Sequence, residues 1–135
     1  MTHYVPEISE QSGNDPLARM RAYSLARALL EVVWDDANKL TTNQVTEKCS
    51  GQLYAAIVSI AANLGEGYSR SSGKDRARIF EYALGSVRES MIWYHSAKPI
   101  LGEIARERLN KLEEIRRLLL AIIPRERGKQ IRPKV

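Results

Sequence analysis

The sequence predicts an all-α fold, an antiparallel up-down-up-down four-helix bundle, on three observations. Apolar residues recur at three- and four-residue steps through almost the whole chain, four such stripes are separated by short polar or proline-containing breaks, and no alternating apolar/polar run marks a strand. Connections this short force successive helices to run antiparallel. At 135 residues, with 44% hydrophobic content, the chain can bury one core, which predicts a single bundle over residues 16–123. It is flanked by a flexible acidic N-terminal tail, 1–15, and a basic C-terminal tail, 124–135.

Each helix has its own start and stop signals. Asp15 followed by Pro16 reads as an N-cap with proline at the first helical position, where a missing N–H costs nothing. From there Ala18, Ala22, Leu25, Leu29, Val32 and Val33 form a stripe running to about Leu40, broken by Thr41-Thr42-Asn43. A second stripe uses Leu53, Ala56, Ile57, Ile60 and Leu64, and Gly65, Gly67 and the polar 69–73 stretch end it. Ser72 and Asp75 form a capping arrangement for a third helix carrying Ile79, Phe80, Ala83, Leu84, Val87, Met91 and Tyr94, which Pro99 should stop. The fourth begins near Gly102, carries Ile104, Leu109, Leu112, Ile115, Leu119 and Ile122, and should end at Pro124. Helices of ~22–26 residues would be ~33–39 Å long at 1.5 Å per residue, a rod with much lateral surface. Tyr23, Leu30, Trp34, Trp93 and Tyr94 lie partly off the main stripes, which favours self-association, with a wide core stripe as the alternative for any one of them.

Composition narrows the function. One cysteine, Cys49, permits no internal disulfide, and with only His3 and His95 beside it no four-ligand Cys/His zinc site can form within one chain. A reducing, cytoplasmic location fits; the acidic start is no secretory signal, and no apolar run approaches the ~20 residues of a membrane span. Enzymatic constellations are missing: Gly65-x-Gly67 follows a helix and not a strand, no Glu-x-x-His pair could hold a di-iron centre, and no nucleophile triad or phosphate loop is legible. The expectation is a protein without catalysis, metal or cofactor. Net charge is +5, with −3 on residues 1–15, +4 on 16–123 and +4 on 124–135. That distribution favours a polyanion through phosphate attraction. The candidate contacts are Arg70, Lys74, Arg76 and Arg78 around the turn between the second and third helices, and Arg125, Arg127, Lys129, Arg132 and Lys134 in the basic tail.

The most distinctive stretch is 58–70. Ser59, Asn63, Glu66 and Arg70 fall on one face of the second helix, opposite the Ala83-Leu84-Gly85-Ser86-Val87-Arg88-Glu89 segment of the third. Antiparallel pairing about a turn near 71–72 puts Ser59 level with Leu84 to Ser86 and Asn63 level with Phe80. Ser59, Asn63, Glu66, Ser86, Arg88 and Glu89 then form a structural polar motif, with Ser59 and Asn63 satisfying each other or nearby backbone.

These residues carry a resemblance. The run Ser59-Ile60, Asn63-Leu64, Glu66-Gly67-Tyr68 and Arg70, followed by residues 83–89, resembles the bacterial four-helix bundle family that includes proteins encoded in intervening sequences of 23S ribosomal RNA genes. It is also similar to the accessory variability protein of diversity-generating retroelements. The close match is confined to about residues 52–89, and the chain departs from the usual pattern at Ala61, where members have Pro, and at Gly65, where they have Ala. The resemblance implies a homo-oligomer, commonly a homopentamer, without enzymatic activity, that binds nucleic acid, RNA favoured, and that could serve as accessory to a reverse transcriptase. The competing expectation is a helical scaffold whose partner is another protein.

Overall fold

The computed structural model describes residues 15–128 and is all-helical over them. Its long helices are α1 (Arg21–Leu40), α2 (Ser50–Tyr68), α3 (Gly73–Ser96) and α4 (Glu103–Arg127), with short helical turns at Pro16–Arg19, Glu47–Cys49 and Lys98–Leu101. α1 packs on α2, α2 on α3, α3 on α4 and α4 back on α1, the closed ring of an up-down-up-down bundle. The apolar stripes meet at its centre: Leu29, Val33, Leu53, Ile57, Ile60, Val87, Leu112, Ile115 and Leu119 are fully buried.

Local signals set the boundaries, with three departures from expectation. The Asp15 carboxylate accepts a hydrogen bond from the Leu17 N–H at 3.0 Å, but the turn it caps is a single 3₁₀ turn. Met20 is extended (φ −72°, ψ 118°), so the chain bends before α1 begins at Arg21. The bend carries Leu17 across to Gly65 of α2, where a Cβ would lie 3.6 Å from Leu17 Cδ2. Pro99 opens a further helical turn instead of merely stopping α3, and the reversal into α4 falls on Gly102, whose φ of +55° suits glycine. Pro124 does not end α4. The helix runs on to Arg127 because Ile123 and Glu126 keep its next turn packed inward, while Pro124 and Leu120, whose carbonyl it cannot bond, are both on the exposed face. Arg125 and Arg127 therefore belong to the bundle and not to a tail.

The remaining ends follow the sequence closely. Thr41 and Thr42 hydroxyls donate to the Asn38 and Lys39 carbonyls at 2.6 Å each, and Thr46 Oγ1 donates to the Leu40 carbonyl at 2.7 Å, closing the end of α1. Ser72 Oγ accepts from the Asp75 N–H at 3.1 Å as the N-cap of α3. Where α2 meets α3, a Cβ on Gly67 would sit 2.8 Å from two Phe80 ring carbons. Only glycine permits that approach, and it places Phe80 level with Gly67, one turn beyond Asn63. None of these helices is long and apolar enough to cross a membrane.

Candidate nucleic-acid interface

One end of the bundle gathers the candidate cations of the α2–α3 turn and, from the basic C-terminal set, Arg125 and Arg127. The α2–α3 turn lies there, and so does the last turn of α4, because Arg76 in the first turn of α3 reaches across to Glu126. Arg76 Nε donates to Glu126 Oε2 at 3.0 Å, Nη2 stands 2.9 Å from the same oxygen, and Nη1 donates to the Arg70 carbonyl at 3.0 Å. Nη2 is close but out of line for a hydrogen bond to a described residue, so its contact is an ion pair. Arg76 is 0% exposed and cannot touch a phosphate in this fold. It is a strut that fixes the last turn of α4 against the α2–α3 turn.

The other candidates are at the surface, with unequal commitments. Arg70 pairs with Glu66 at 2.7 Å, Arg78 with Asp75 at 3.6 Å and Arg127 with Glu81. Lys74 and Arg125 are exposed and have no ion pair among the described residues. Exposed pairs of this kind contribute about 0–1 kcal/mol, so a polyanion can displace the carboxylates at little cost. Arg19, which the sequence reading passed over, is exposed on the 3₁₀ turn whose Leu17 packs by Gly65, near the same end. Lys129, Arg132 and Lys134 lie outside the described residues.

The polar motif separates into inner and outer members. Ser59 Oγ and Ser86 Oγ are hydrogen-bonded between α2 and α3, Ser86 Oγ also donates to the Tyr82 carbonyl at 3.2 Å, and Ser90 Oγ donates to the Ser86 carbonyl at 2.8 Å. Asn63 is half-buried and makes no side-chain hydrogen bond to a described residue, so of the partners expected for it neither Ser59 nor nearby backbone is engaged, and Ser59 bonds Ser86 instead. Glu66, Arg88 and Glu89 are exposed.

At the opposite end is a buried network that sequence reasoning missed. Asp36 Oδ2 accepts from Tyr94 Oη at 2.7 Å and from Arg108 Nε at 2.8 Å, joining α1, α3 and α4. Asp36 and Tyr94 are buried, so Tyr94, at the edge of the third apolar stripe, is in the core. Burial, and then the hydrogen bond and charge of Asp36, raise the Tyr94 pKa. Burial opposes the charge on Arg108, but the hydrogen bond and charge of Asp36 outweigh it and raise that pKa as well. A usable signal existed: Asp36 falls in phase with Leu29, Val33 and Leu40, Arg76 with Phe80, Ala83 and Val87, and Glu126 with Leu119 and Ile123. A charge in the apolar register needs a partner in the core.

The outer flank of α2 is uncharged. From Ser50 to Gly65 there is no charged residue, and Tyr54 and Val58 are each 37% exposed. Trp34 on α1 meets Tyr54 edge-on, with ring centres 5.6 Å apart, and the two border a shallow groove with Ala37, Asn38, Ser50 and Gly51. Of the off-stripe residues, Trp34 is exposed, whereas Tyr23, Leu30 and Trp93 are half-buried against the core. Cys49 is a half-buried free thiol and His95 is exposed. Among the described residues no group of three or more His, Cys, Asp or Glu side chains is placed to hold a metal ion.

Comparison with known proteins agrees with this architecture. The family model described as 23S rRNA-intervening sequence protein matches residues 18–122. A crystal structure of a protein of unknown function from the S23 ribosomal protein family of Bacteroides thetaiotaomicron superposes with a TM-score of 0.69. It is 23% identical, and the match covers 76% of this chain and 97% of that one, a similarity of fold. No curated protein matches the chain.

Proposed function

The chain belongs to the 23S rRNA-intervening sequence protein family, and within it we propose a non-enzymatic homo-oligomer that binds structured RNA, or RNA and DNA, through phosphates at the α2–α3 end of the bundle. The observation that carries this reading is the convergence of Arg70, Lys74, Arg78, Arg125 and Arg127 at one end, held in register by the buried Arg76–Glu126 pair. Each exposed contact is weak by itself. Repetition around a symmetric assembly turns weak contacts into avidity, because every later contact is intramolecular.

The uncharged flank of α2, with Trp34, Tyr54 and Val58, supports self-association, and a pentamer is the assembly proposed. The same flank favours the second reading, a scaffold whose partner is another protein, with a reverse transcriptase as the partner implied by the resemblance. Fluorescence anisotropy with a structured RNA and a DNA duplex across a salt series separates the two. Phosphate binding predicts a log–log salt slope of roughly −0.7 to −0.9 per contact, reduced by about one contact in each of Lys74→Gln and Arg125→Gln. Truncation should begin after Gly128, because removing Glu126 would strand Arg76. Absence of binding at low salt, with copurification of a reverse transcriptase, would transfer the assignment to the scaffold.

A further inference from the structure

The proposed interface carries an aromatic group that phosphate binding does not use. Lys74, Arg78 and Tyr82 follow one another at four-residue steps along the outward side of α3, starting from the basic end. Tyr82 is 55% exposed, and the Arg78 guanidinium stands over its ring, 6.0 Å from the ring centre. One turn further on is Gly85, which has no side chain of its own to reach back over the ring, and even a Cβ there would meet nothing within 4 Å. The Tyr82 carbonyl accepts the Ser86 hydroxyl, tying this turn of α3 to the Ser59 contact with α2. The ring is thus an exposed planar surface on a fixed helix, beside two cations suited to the backbone of the same strand.

We propose that Tyr82, with Arg78, is a stacking platform for an unpaired nucleobase, so that the ligand at this end is single-stranded nucleic acid or an unpaired loop of a structured RNA. This rests on the phosphate-binding reading above and adds a base to it. Stacking by an aromatic face requires a base free of its duplex neighbours, and it tolerates any base because each has a π-face. Arg78 can extend the platform by cation–π contact or turn to a phosphate, since its pairing with Asp75 at 3.6 Å is exposed and weak. Lys74, with no carboxylate in ion-pair range among the described residues, is positioned for the adjoining phosphate.

The test uses the full chain and three fluorescein-labelled strands of equal phosphate number: a mixed-sequence single-stranded RNA, an abasic single strand, and a duplex. Anisotropy at fixed low salt should show the base-bearing single strand bound about 5- to 150-fold more tightly than the abasic one. Tyr82→Leu, which keeps apolar bulk but no ring, should erase that ratio while leaving abasic and duplex affinities and the salt slope unchanged; Tyr82→Phe should retain it. Equal binding of base-bearing and abasic strands by the wild-type protein would overturn the platform and leave phosphate binding standing. No binding of any strand at low salt would overturn both. If Tyr82→Leu instead lowers the mass in light scattering, the ring belongs to a contact with a second copy and the platform is refuted. Circular dichroism melting of each variant confirms that a lost ratio is not lost folding.

Discussion

Replacing Glu126 by Leu should be among the most destabilising single changes available at this end of the bundle, because Glu126 is buried with Arg76. Arg76 has no solvent-exposed surface, and its guanidinium depends on Glu126 Oε2, contacted by Nε at 3.0 Å and Nη2 at 2.9 Å, and on the Arg70 carbonyl. Without the carboxylate, a charge that cannot be shed remains in a dry site with one neutral acceptor. Breaking a buried pair in this way costs about 3–5 kcal/mol, against total stabilities of about 5–15 kcal/mol for a domain. For a chain of this length that is a fall in melting temperature of roughly 10–20 °C. The double variant Arg76→Met, Glu126→Leu removes both charges and fills similar volume, so it should recover most of the loss. Thermal and urea melts of the wild type, both single variants and the double variant provide the cycle. A Glu126→Leu cost below about 1 kcal/mol, or a double variant no better than the worse single one, would refute the argument that the pair is a mutually dependent strut.

Gly67→Ala should cost about 1–3 kcal/mol, because its Cβ would stand 2.8 Å from a Phe80 ring that the core prevents from yielding. Gly85→Ala meets nothing and should gain up to about 1 kcal/mol in helix propensity, so urea melts of the two should move in opposite directions. Burial and Asp36 raise the Tyr94 pKa, so its stabilising contribution is complete below the ordinary tyrosine value near 10 and is lost as pH rises toward the elevated folded value. Stability should therefore fall with pH above about 10 more steeply in the wild type than in Tyr94→Phe, as followed by urea melts across that range. Val58→Lys places a charge in the uncharged flank of α2 and, if the proposed pentamer is the assembly, should reduce the light-scattering mass to that of one chain of 15.3 kDa, with the helical spectrum unchanged.

Much of this architecture is legible in the chain itself, because helices are local. A three-to-four-residue apolar period, Ser72 three residues before Asp75, and the Thr41-Thr42 stop act within a few residues, and each appears in the fold where its period and capping chemistry put it. Short connections then leave little choice but antiparallel neighbours. Ser59 meeting Ser86 is a further consequence of that register.

What local chemistry could not decide was which side of each helix end faces inward. Pro124 reads as a stop because proline removes a backbone donor, yet the packing of Ile123 and Glu126 outweighs that loss and carries α4 another turn. Arg76 reads as one more cation in a basic turn, and its partner is 50 residues away. Asp36, Tyr94 and Arg108 come from three helices and mean nothing singly. The sequence by itself determined the helices, their order and the basic balance, since these follow from neighbours along the chain. The tertiary structure alone decided which charges are struts and which remain available to a ligand, since burial and pairing depend on residues that only folding brings together.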